Sequence, residues 1–444
     1  MKTVVFAALN SSWYQSNPVF YYLRQMIRDL DYEVKMLALN VNDLPMDTLN
    51  TLHESGADVL CFSAYIWNRV YLQALLPDLR ALIPNTLIVV GGPEAVALKP
   101  FADFCIEGAG EASFRALAES GFQSLPASIP PLHLRGLPFL YDARDASELS
   151  GKLVYYESSR GCPFRCSYCL SARDERNELR FDIRDKAALQ QLSTELDALE
   201  ALAPRSVKFI DRSFNFHPPF ARELWKILLG KERGCEFHFE IYPQLLSEED
   251  IQILEAAPAE LIRFEVGIQS TDDAINRACG RNSDWHKSKT MLNALKERTR
   301  VLVHADLLCG LPSQDLPSVL DSIDELAPCH PAEIQLGILK ILPDTPMREI
   351  AQDRGWIWSQ SPPYTILQTD TFTFEELRTC EALARILNLY WNKQEFTAEW
   401  QQLLQKQKAS QILFALLNRH RELGWSLHSI SKAKRAEVFA HIHS

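Results

Sequence analysis

Apolar and polar residues follow two rhythms along this chain. Up to about residue 120, short apolar runs at 3–9, 32–39, 58–63, 86–90 and 104–107 read as strands. Between them, at 18–30, 45–55 and 69–82 and again from Glu111, apolar residues return every three or four positions, which is the spacing of one helix face. Five such units predict an α/β domain, a doubly wound parallel sheet of flavodoxin-like type. Ligands of such sheets sit beyond the carboxyl ends of the strands, near the point where strand order reverses. The loops after Leu9, Ser63, Gly92 and Glu107 are therefore the ones to watch.

Residues 121–150 lose the rhythm. They hold proline, serine, arginine and aspartate without a period and read as a linker, expected to pack across the entrance of the next domain. Strands then resume at 153–157, 206–210, 236–241, 261–267, 301–309 and 333–340, with helices at 185–199, 218–229, 247–256, 285–298 and 315–327. Six strand–helix units predict a partial parallel barrel, open on one side, with its active residues at the strand C-termini. Beyond residue 345 the pattern is helical, and Tyr390, Trp391 and Trp400 read as core of that helical region. The expected domains are 1–122, a linker at 123–150, a barrel at 151–345 and a helical region at 346–444.

Composition narrows the class. The chain has 444 residues, 47% hydrophobic and 23% charged, long enough for two or three well-buried cores. A net charge of −11 argues against a general nucleic-acid binder. The N-terminal apolar run continues into the strand–helix rhythm and does not read as a signal peptide. No stretch has the length and apolarity of a membrane span. Three of the ten cysteines are clustered and seven are scattered, unlike a secreted disulfide framework, so a reducing cytoplasm is expected.

The clustered cysteines carry the chemistry. In SSRGCPFRCSYCLSA, residues 158–172, Cys162, Cys166 and Cys169 follow the spacing C-x-x-x-C-x-x-C directly after a strand. Three thiolates on one tight loop can ligate three irons of a [4Fe–4S] cluster and leave the fourth iron open for chemistry. A structural zinc site would need a fourth ligand, and there is no second C-x-x-C pair, although a distant cysteine or histidine could supply one.

This loop resembles that of the radical S-adenosylmethionine (SAM) superfamily, in which SAM chelates the open iron and is cleaved to a 5′-deoxyadenosyl radical. The resemblance implies Cys162, Cys166 and Cys169 as cluster ligands and Tyr168 beside the adenine. It implies Asp211 near the SAM amino group, Glu240 near the ribose, Gln269 among the SAM contacts after the fourth strand, Arg277 near the carboxylate, and Gly310 with Pro312 at the adenine. Tyr242 and Lys340 border the same region. No residue is singled out as a catalytic acid or base.

The N-terminal loops carry a second resemblance, to the cobalamin-binding domain that precedes the barrel in cobalamin-dependent radical SAM enzymes. It rests on GGPEA at 91–95 and EGAGEASF at 107–114. It implies cobalamin held by Ser63, Gly91, Gly92, Glu94, Gly108, Gly110 and Glu111. Many such domains carry D-x-H-x-x-G after the first strand, with the histidine on cobalt. Here that loop reads NSSWYQSNP and holds no histidine. Cobalamin is thus expected without a histidine lower ligand, with Tyr14, Gln15, Trp67, Asn68 and Arg69 as candidates to cover that face.

The helical tail resembles the extension of one subgroup of that family. The implied activity is methyl transfer to an unactivated carbon, with a flavodoxin or ferredoxin as electron donor. Cyclisation or rearrangement with degenerate or absent cobalamin binding is the alternative among enzymes. A corrinoid or redox sensor with a structural cluster is the alternative of another class. The substrate is not legible.

Overall fold

The computed structural model describes residues 1–174, 176–428 and 430–443. The chain forms two compact units. The first comprises Met1–Ser158, Glu178–Lys208 and Ser361–Pro363, and the second Ser159–Asn177, Phe209–Gln360 and Tyr364–Ser444.

The first unit opens with β1 (Lys2–Asn10), α1 (Pro18–Met26), β2 (Tyr32–Asn40), α2 (Pro45–Glu54), β3 (Val59–Ser63) and α3 (Arg69–Leu82). It continues with β4 (Leu87–Gly91), β5 (Phe104–Ile106) and α4 (Glu111–Glu119). The five strands are parallel in the order β2-β1-β3-β4-β5, the flavodoxin-like order. Order reverses between β1 and β3, so the loops after these two strands flank the switch point.

Both faces of this sheet are covered. Val5, Ala7, Leu60 and Phe62 pack with Leu72, Leu76 and Leu79 of α3. On the other face Val4, Phe6, Val59 and Cys61 pack with Phe20 of α1 and with Phe114 and Leu117 of α4. Burial on two sides explains why these strands read as unbroken apolar runs. One crossover departs from the expected strand–helix rhythm. Between β4 and β5 the chain makes a 3₁₀ turn, Ala95–Phe101, containing Pro100, which has no N–H to give to a helical ladder.

Residues 123–150 contain two 3₁₀ turns and a short α5 (Ala146–Leu149), all within the first unit. Arg24 of α1 grips Asp145 with two bonds of 2.6 Å. In chain order come next β6 (Leu153–Tyr156), the two-residue strands β7 (Ser159–Arg160) and β8 (Glu178–Leu179), α6 (Lys186–Ala201) and β9 (Ser206–Phe209). Asp185 starts α6 by accepting from the Ala187 N–H. Glu195 of α6 accepts from Tyr156 at 2.7 Å and pairs with the buried Arg180 at 3.1 Å.

The second unit continues with α7 (Pro218–Leu229), β10 (Glu236–Ile241), α8 (Glu248–Leu254), β11 (Ile262–Gln269), α9 (Asp273–Ala278) and α10 (Trp285–Arg298). Then come β12 (Leu302–Cys309), α11 (Leu316–Leu326) and β13 (Glu333–Ile338). The second sheet runs in the order β13-β12-β11-β10-β9-β6, six strands laid down in sequence as a partial barrel requires. Strands β10 to β13 are parallel. Along β10, β11 and β12 buried and half-buried residues strictly alternate. Phe237, Phe239, Phe264 and Val266 turn to the apolar side. The other face carries an ionic lattice: Arg263 bonds Glu236 and Glu333 at 2.9 Å each, and His238 meets Glu265 at 3.0 Å.

The tail holds α12 (Pro346–Asp353), β14 (Ile357–Trp358), β15 (Ile366–Gln368), α13 (Phe374–Tyr390), α14 (Thr397–Leu404), α15 (Ala409–Glu422) and α16 (Lys432–His443). Thr373 and Glu376 form a capping box that starts α13. Tyr390, Trp391 and Trp400 are buried, and Tyr390 bonds His420 at 2.7 Å. The antiparallel pair β14–β15 departs from the expectation of an all-helical tail. Strands of two and three residues are too short to show a period. Among the described residues no helix is long and apolar enough to cross a membrane.

Candidate active site

In the first unit the switch point is tied together by amides. Asn68 donates to the carbonyls of Leu9 and Ser63 at 3.1 and 2.9 Å and accepts from the Tyr65 N–H at 2.8 Å. Asn17 donates to the Ser63 hydroxyl at 2.7 Å. Asn68 and Ser63 are thus buried structural pins at the ends of β1 and β3. Gly92, at φ +97°, is forced by packing: a Cβ there would lie 2.7 Å from the Ala64 carbonyl oxygen. Arg69 pairs with the buried Glu94 at 3.3 Å. Gln15 accepts from Ser11 at 2.6 Å, while the Tyr14 carbonyl accepts from the Leu153 N–H at 2.7 Å.

What this end exposes is aromatic. Trp13, Tyr14 and Trp67 are 62%, 50% and 46% accessible, and Trp67 stacks on Tyr65 with centroids 4.3 Å apart. Gly91 ends β4, Gly108 and Gly110 come after β5, and a Cβ at Gly108 would meet nothing within 4 Å. Glu111 is buried at the start of α4.

In the second unit the cysteine loop is shaped by its own backbone. A Cβ at Gly161, φ +90°, would strike the Asn177 nitrogen at 2.7 Å. The Arg165 guanidinium donates to the carbonyls of Cys162 and Ala172 at 2.9 and 3.1 Å. Cys162 and Cys166 are buried and Cys169 is half-buried. Burial pushes the Cys162 thiol up from its ordinary range. Ser213 lies 3.8 Å from the Cys162 sulfur.

Around the loop, Phe164 stacks on Tyr242 at 4.3 Å, and the Arg281 guanidinium lies 4.2 Å from the centre of the same ring. Burial drives the Tyr168 phenol well above its ordinary pKa, against the pull of Arg281, so it stays neutral. Asp211 is 1% exposed just beyond β9. Glu240 is half-buried near the end of β10, 3.6 Å from Arg212. Gln269 ends β11 at φ +65°, next to a bulge. Gly310, φ +94°, and Leu311 give their N–H groups to the buried Gln314 side chain at 2.9 and 3.1 Å, and Pro312 is buried beside them. Arg277 stands exposed on α9, and Lys340 is exposed in an isolated bridge to Thr365.

Two family models match successive stretches of the chain. The family model "Radical SAM superfamily" matches residues 156–326, and "B12 binding domain" matches residues 10–118. The chain thus carries a B12-binding domain followed by a radical SAM domain. A third model, a protein family of unknown function (DUF4080), matches residues 352–443. The cobalamin-dependent radical SAM methyltransferase TokK of Streptomyces tokunonensis is 22% identical, over 65% of this chain and 48% of its own. An oxygen-independent coproporphyrinogen III oxidase of Paracoccus denitrificans is 26% identical, over 45% of this chain and 46% of its own. The chain spans about half the length of these curated relatives. The structure of the methyltransferase TsrM from Kitasatospora setae, with cobalamin and a [4Fe–4S] cluster bound, superposes with a TM-score of 0.65 at 17% identity. That match covers 81% of each chain and shows a shared fold.

This radical SAM chain therefore takes a [4Fe–4S] cluster, SAM and cobalamin. Its residues fit them. Three thiols share one loop, yet among the described residues no three His, Cys, Asp or Glu side chains are grouped as a single metal ion requires. Three cysteines at C-x-x-x-C-x-x-C spacing on one tight loop suit a cluster with one open iron. At the switch point exposed rings suit a flat ligand, and among the described residues the buried Asn17 amide oxygen has no hydrogen-bond partner.

Sequence reading overlooked Arg281, Gln314, Asn17 and Phe164. Asn17 precedes the Pro18 that starts α1 and Phe164 lies inside the cysteine motif, so both stood in marked stretches. Gln314 comes two residues after the Gly310–Pro312 signal. For Arg281 the only local sign is the glycine before it.

Proposed function

We propose that this chain is a methyltransferase that delivers a methyl group to an unactivated carbon of its substrate. The observation that carries the proposal is the order of the two matches: a cobalamin-binding sheet and then a radical SAM barrel in one chain. The name of the relative TokK, a cobalamin-dependent methyltransferase, supports it. When bound, the cluster and SAM supply hydrogen-abstracting radical chemistry and cobalamin supplies methyl transfer.

The protein's own part is to hold and to orient. Cys162, Cys166 and Cys169 hold the cluster as thiolates. Asp211 accepts from the SAM ammonium, because a buried carboxylate makes a charge-assisted bond to a cation. Glu240 and Tyr168 take the ribose and adenine, Gln269 the carboxylate, and the turn at Gly310 and Pro312 approaches the adenine. Arg277 is too exposed to be placed in this set. Ser63, Gly91, Gly92, Gly108, Gly110 and Glu111 border the corrin and its tail. Tyr14, Gln15 and Trp67 would cover a bound cobalamin on the side where the loop offers no histidine. Asn68, with both amide atoms bonded to backbone, and Arg69, paired with Glu94, support that face rather than ligate it.

The electron donor is of the flavodoxin or ferredoxin class, and a thiolate-held cluster suits a reducing cytoplasm. The test is anaerobic turnover with methyl-deuterated SAM, a strong reductant and fractionated metabolite extract. Methyl transfer predicts S-adenosylhomocysteine, 5′-deoxyadenosine and a metabolite carrying the label. Deoxyadenosine without S-adenosylhomocysteine would replace the proposal with a rearrangement or cyclisation.

A further inference from the structure

Beside the cysteine loop lies a buried cation. Arg281 is 8% exposed, and among the described residues no carboxylate pairs with it. Its Nη1 lies 3.8 Å from the Cys166 sulfur, its Nη2 donates to the Gly267 carbonyl, and its buried Nε has no hydrogen-bond partner among the described residues. The guanidinium face rests on Tyr242 at 4.2 Å. An isolated buried charge costs several kcal/mol unless an anion meets it. Arginine cannot escape the cost by losing its proton.

The surrounding backbone is built to bring this arginine to the loop. The Cys279 carbonyl accepts from the Ser167 N–H at 2.8 Å. Gly280 comes next at φ +70°, where a Cβ would lie 2.8 Å from the Arg165 carbonyl oxygen. Only glycine allows so close an approach. On the far side, β11 bulges between Gly267 and Gln269, at the residue whose carbonyl Arg281 takes. The strand's irregularity and the glycine together fix the guanidinium against one thiol of three.

We propose that Arg281 is a positioning residue of the cluster: it donates a hydrogen bond to the Cys166 thiolate and holds a fixed positive charge there. The inference rests on the reading of Cys162, Cys166 and Cys169 as cluster ligands. A thiol that binds iron is deprotonated, and the new thiolate is the anion the buried guanidinium lacks. Hydrogen bonds to cluster sulfurs and nearby charge are the protein's levers on reduction potential. A cation stabilises the more negative, reduced cluster, so Arg281 raises the potential and eases the single-electron delivery that starts turnover.

The test uses the full reconstituted chain without SAM. Arg281→Gln keeps a donor and removes the charge, and Arg281→Lys keeps the charge on a flexible stem. Iron content equal to wild type, with a midpoint potential shifted negative in Arg281→Gln and restored toward wild type in Arg281→Lys, is the expected result. A loaded Arg281→Gln cluster with an unshifted potential overturns the inference and leaves the cluster reading intact. Pulsed electron paramagnetic resonance on reduced wild type grown with ¹⁵N-arginine needs no variant. An arginine nitrogen coupled to the cluster is expected, and its absence overturns the inference. No cluster in the wild-type chain would instead sink the cysteine reading beneath it.

Discussion

The two parallel sheets of this chain differ in what they bury. In the first, neighbouring residues of β1 point to opposite faces and are all inaccessible: Val4, Val5, Phe6 and Ala7 are 0% exposed. In the second, every other residue of β10, β11 and β12 is half-buried and mostly polar. A sheet covered on both faces can act only at its strand ends, where loops leave it. A barrel-type sheet keeps one polar face, and that face can carry charge along its length. The first unit therefore offers a rim, with its amides at Asn68 and Asn17, and the second offers a wall, with its lattice around Arg263.

The largest expected effect separates the two sheets. Phe6→Ala removes a ring packed 5.1 Å from Phe20 and 5.4 Å from Phe114, and should cost about 3–5 kcal/mol. Val5→Ala, on the opposite face, should cost about 2 kcal/mol. In β13 the same pair of neighbours should diverge. Ile334→Ala should cost about 2–5 kcal/mol, and Gln335→Ala, on the exposed side, should change stability by less than about 0.5 kcal/mol. Hydrogen exchange resolved by strand measures all four, and equal effects in β13 would break the comparison.

Next in size is the rim. Gly92→Ala places a Cβ 2.7 Å from backbone at a positive φ, a strain of roughly 1–3 kcal/mol. It should weaken cobalamin retention about tenfold or more after gel filtration while iron content stays unchanged. Retention equal to wild type would remove Gly92 from the cobalamin site.

Smaller still is the wall. Arg263 is partly exposed, as are its partners Glu236 and Glu333, so Arg263→Ala should cost only about 1–2 kcal/mol. Thermal unfolding with added salt should show part of that loss screened.

The smallest effect depends on pH. Burial pulls the His304 imidazole down, but Asp306, with Glu265 and Glu333 beyond it, outweighs burial and leaves the pKa above the ordinary 6.5. A raised folded-state pKa gives stability that is complete below the unfolded value, near 6.5, and fades as pH rises through the folded value. Wild type should exceed His304→Gln in stability most below about pH 6.5 and converge with it as pH rises through the folded-state value. A difference that grows with pH would contradict the assigned sign.

Much of this was legible in the chain because the signals are local. The β10 and α10 limits come from alternation and from the Asp284 cap, both contained within a few residues. The cysteine loop is legible for the same reason. The 3₁₀ turn at Ala95–Phe101 and the β14–β15 pair were not, since each is too short or too irregular to carry a period. Arg281 was not, because it meets Cys166 from 115 residues away, across a bulge and a glycine whose effect exists only in the fold. Arg277, nearer a marked strand end, drew the eye instead, and its side of α9 faces solvent. At the rim, Asn17 and Ser63 meet across 46 residues, so the pin that joins two marked loops was invisible although the loops were not.

If rim and wall hold two different cofactors through separate residues, each cofactor can be lost without the other. Anaerobic reconstitution with iron, sulfide and hydroxocobalamin tests this most directly, with the Cys162→Ala, Cys166→Ala, Cys169→Ala triple variant beside the wild type. The expected result is one [4Fe–4S] cluster and one cobalamin per wild-type chain, and cobalamin alone in the triple variant. A cluster that survives loss of the three thiols, or a wild-type chain that retains no cobalamin, would contradict it.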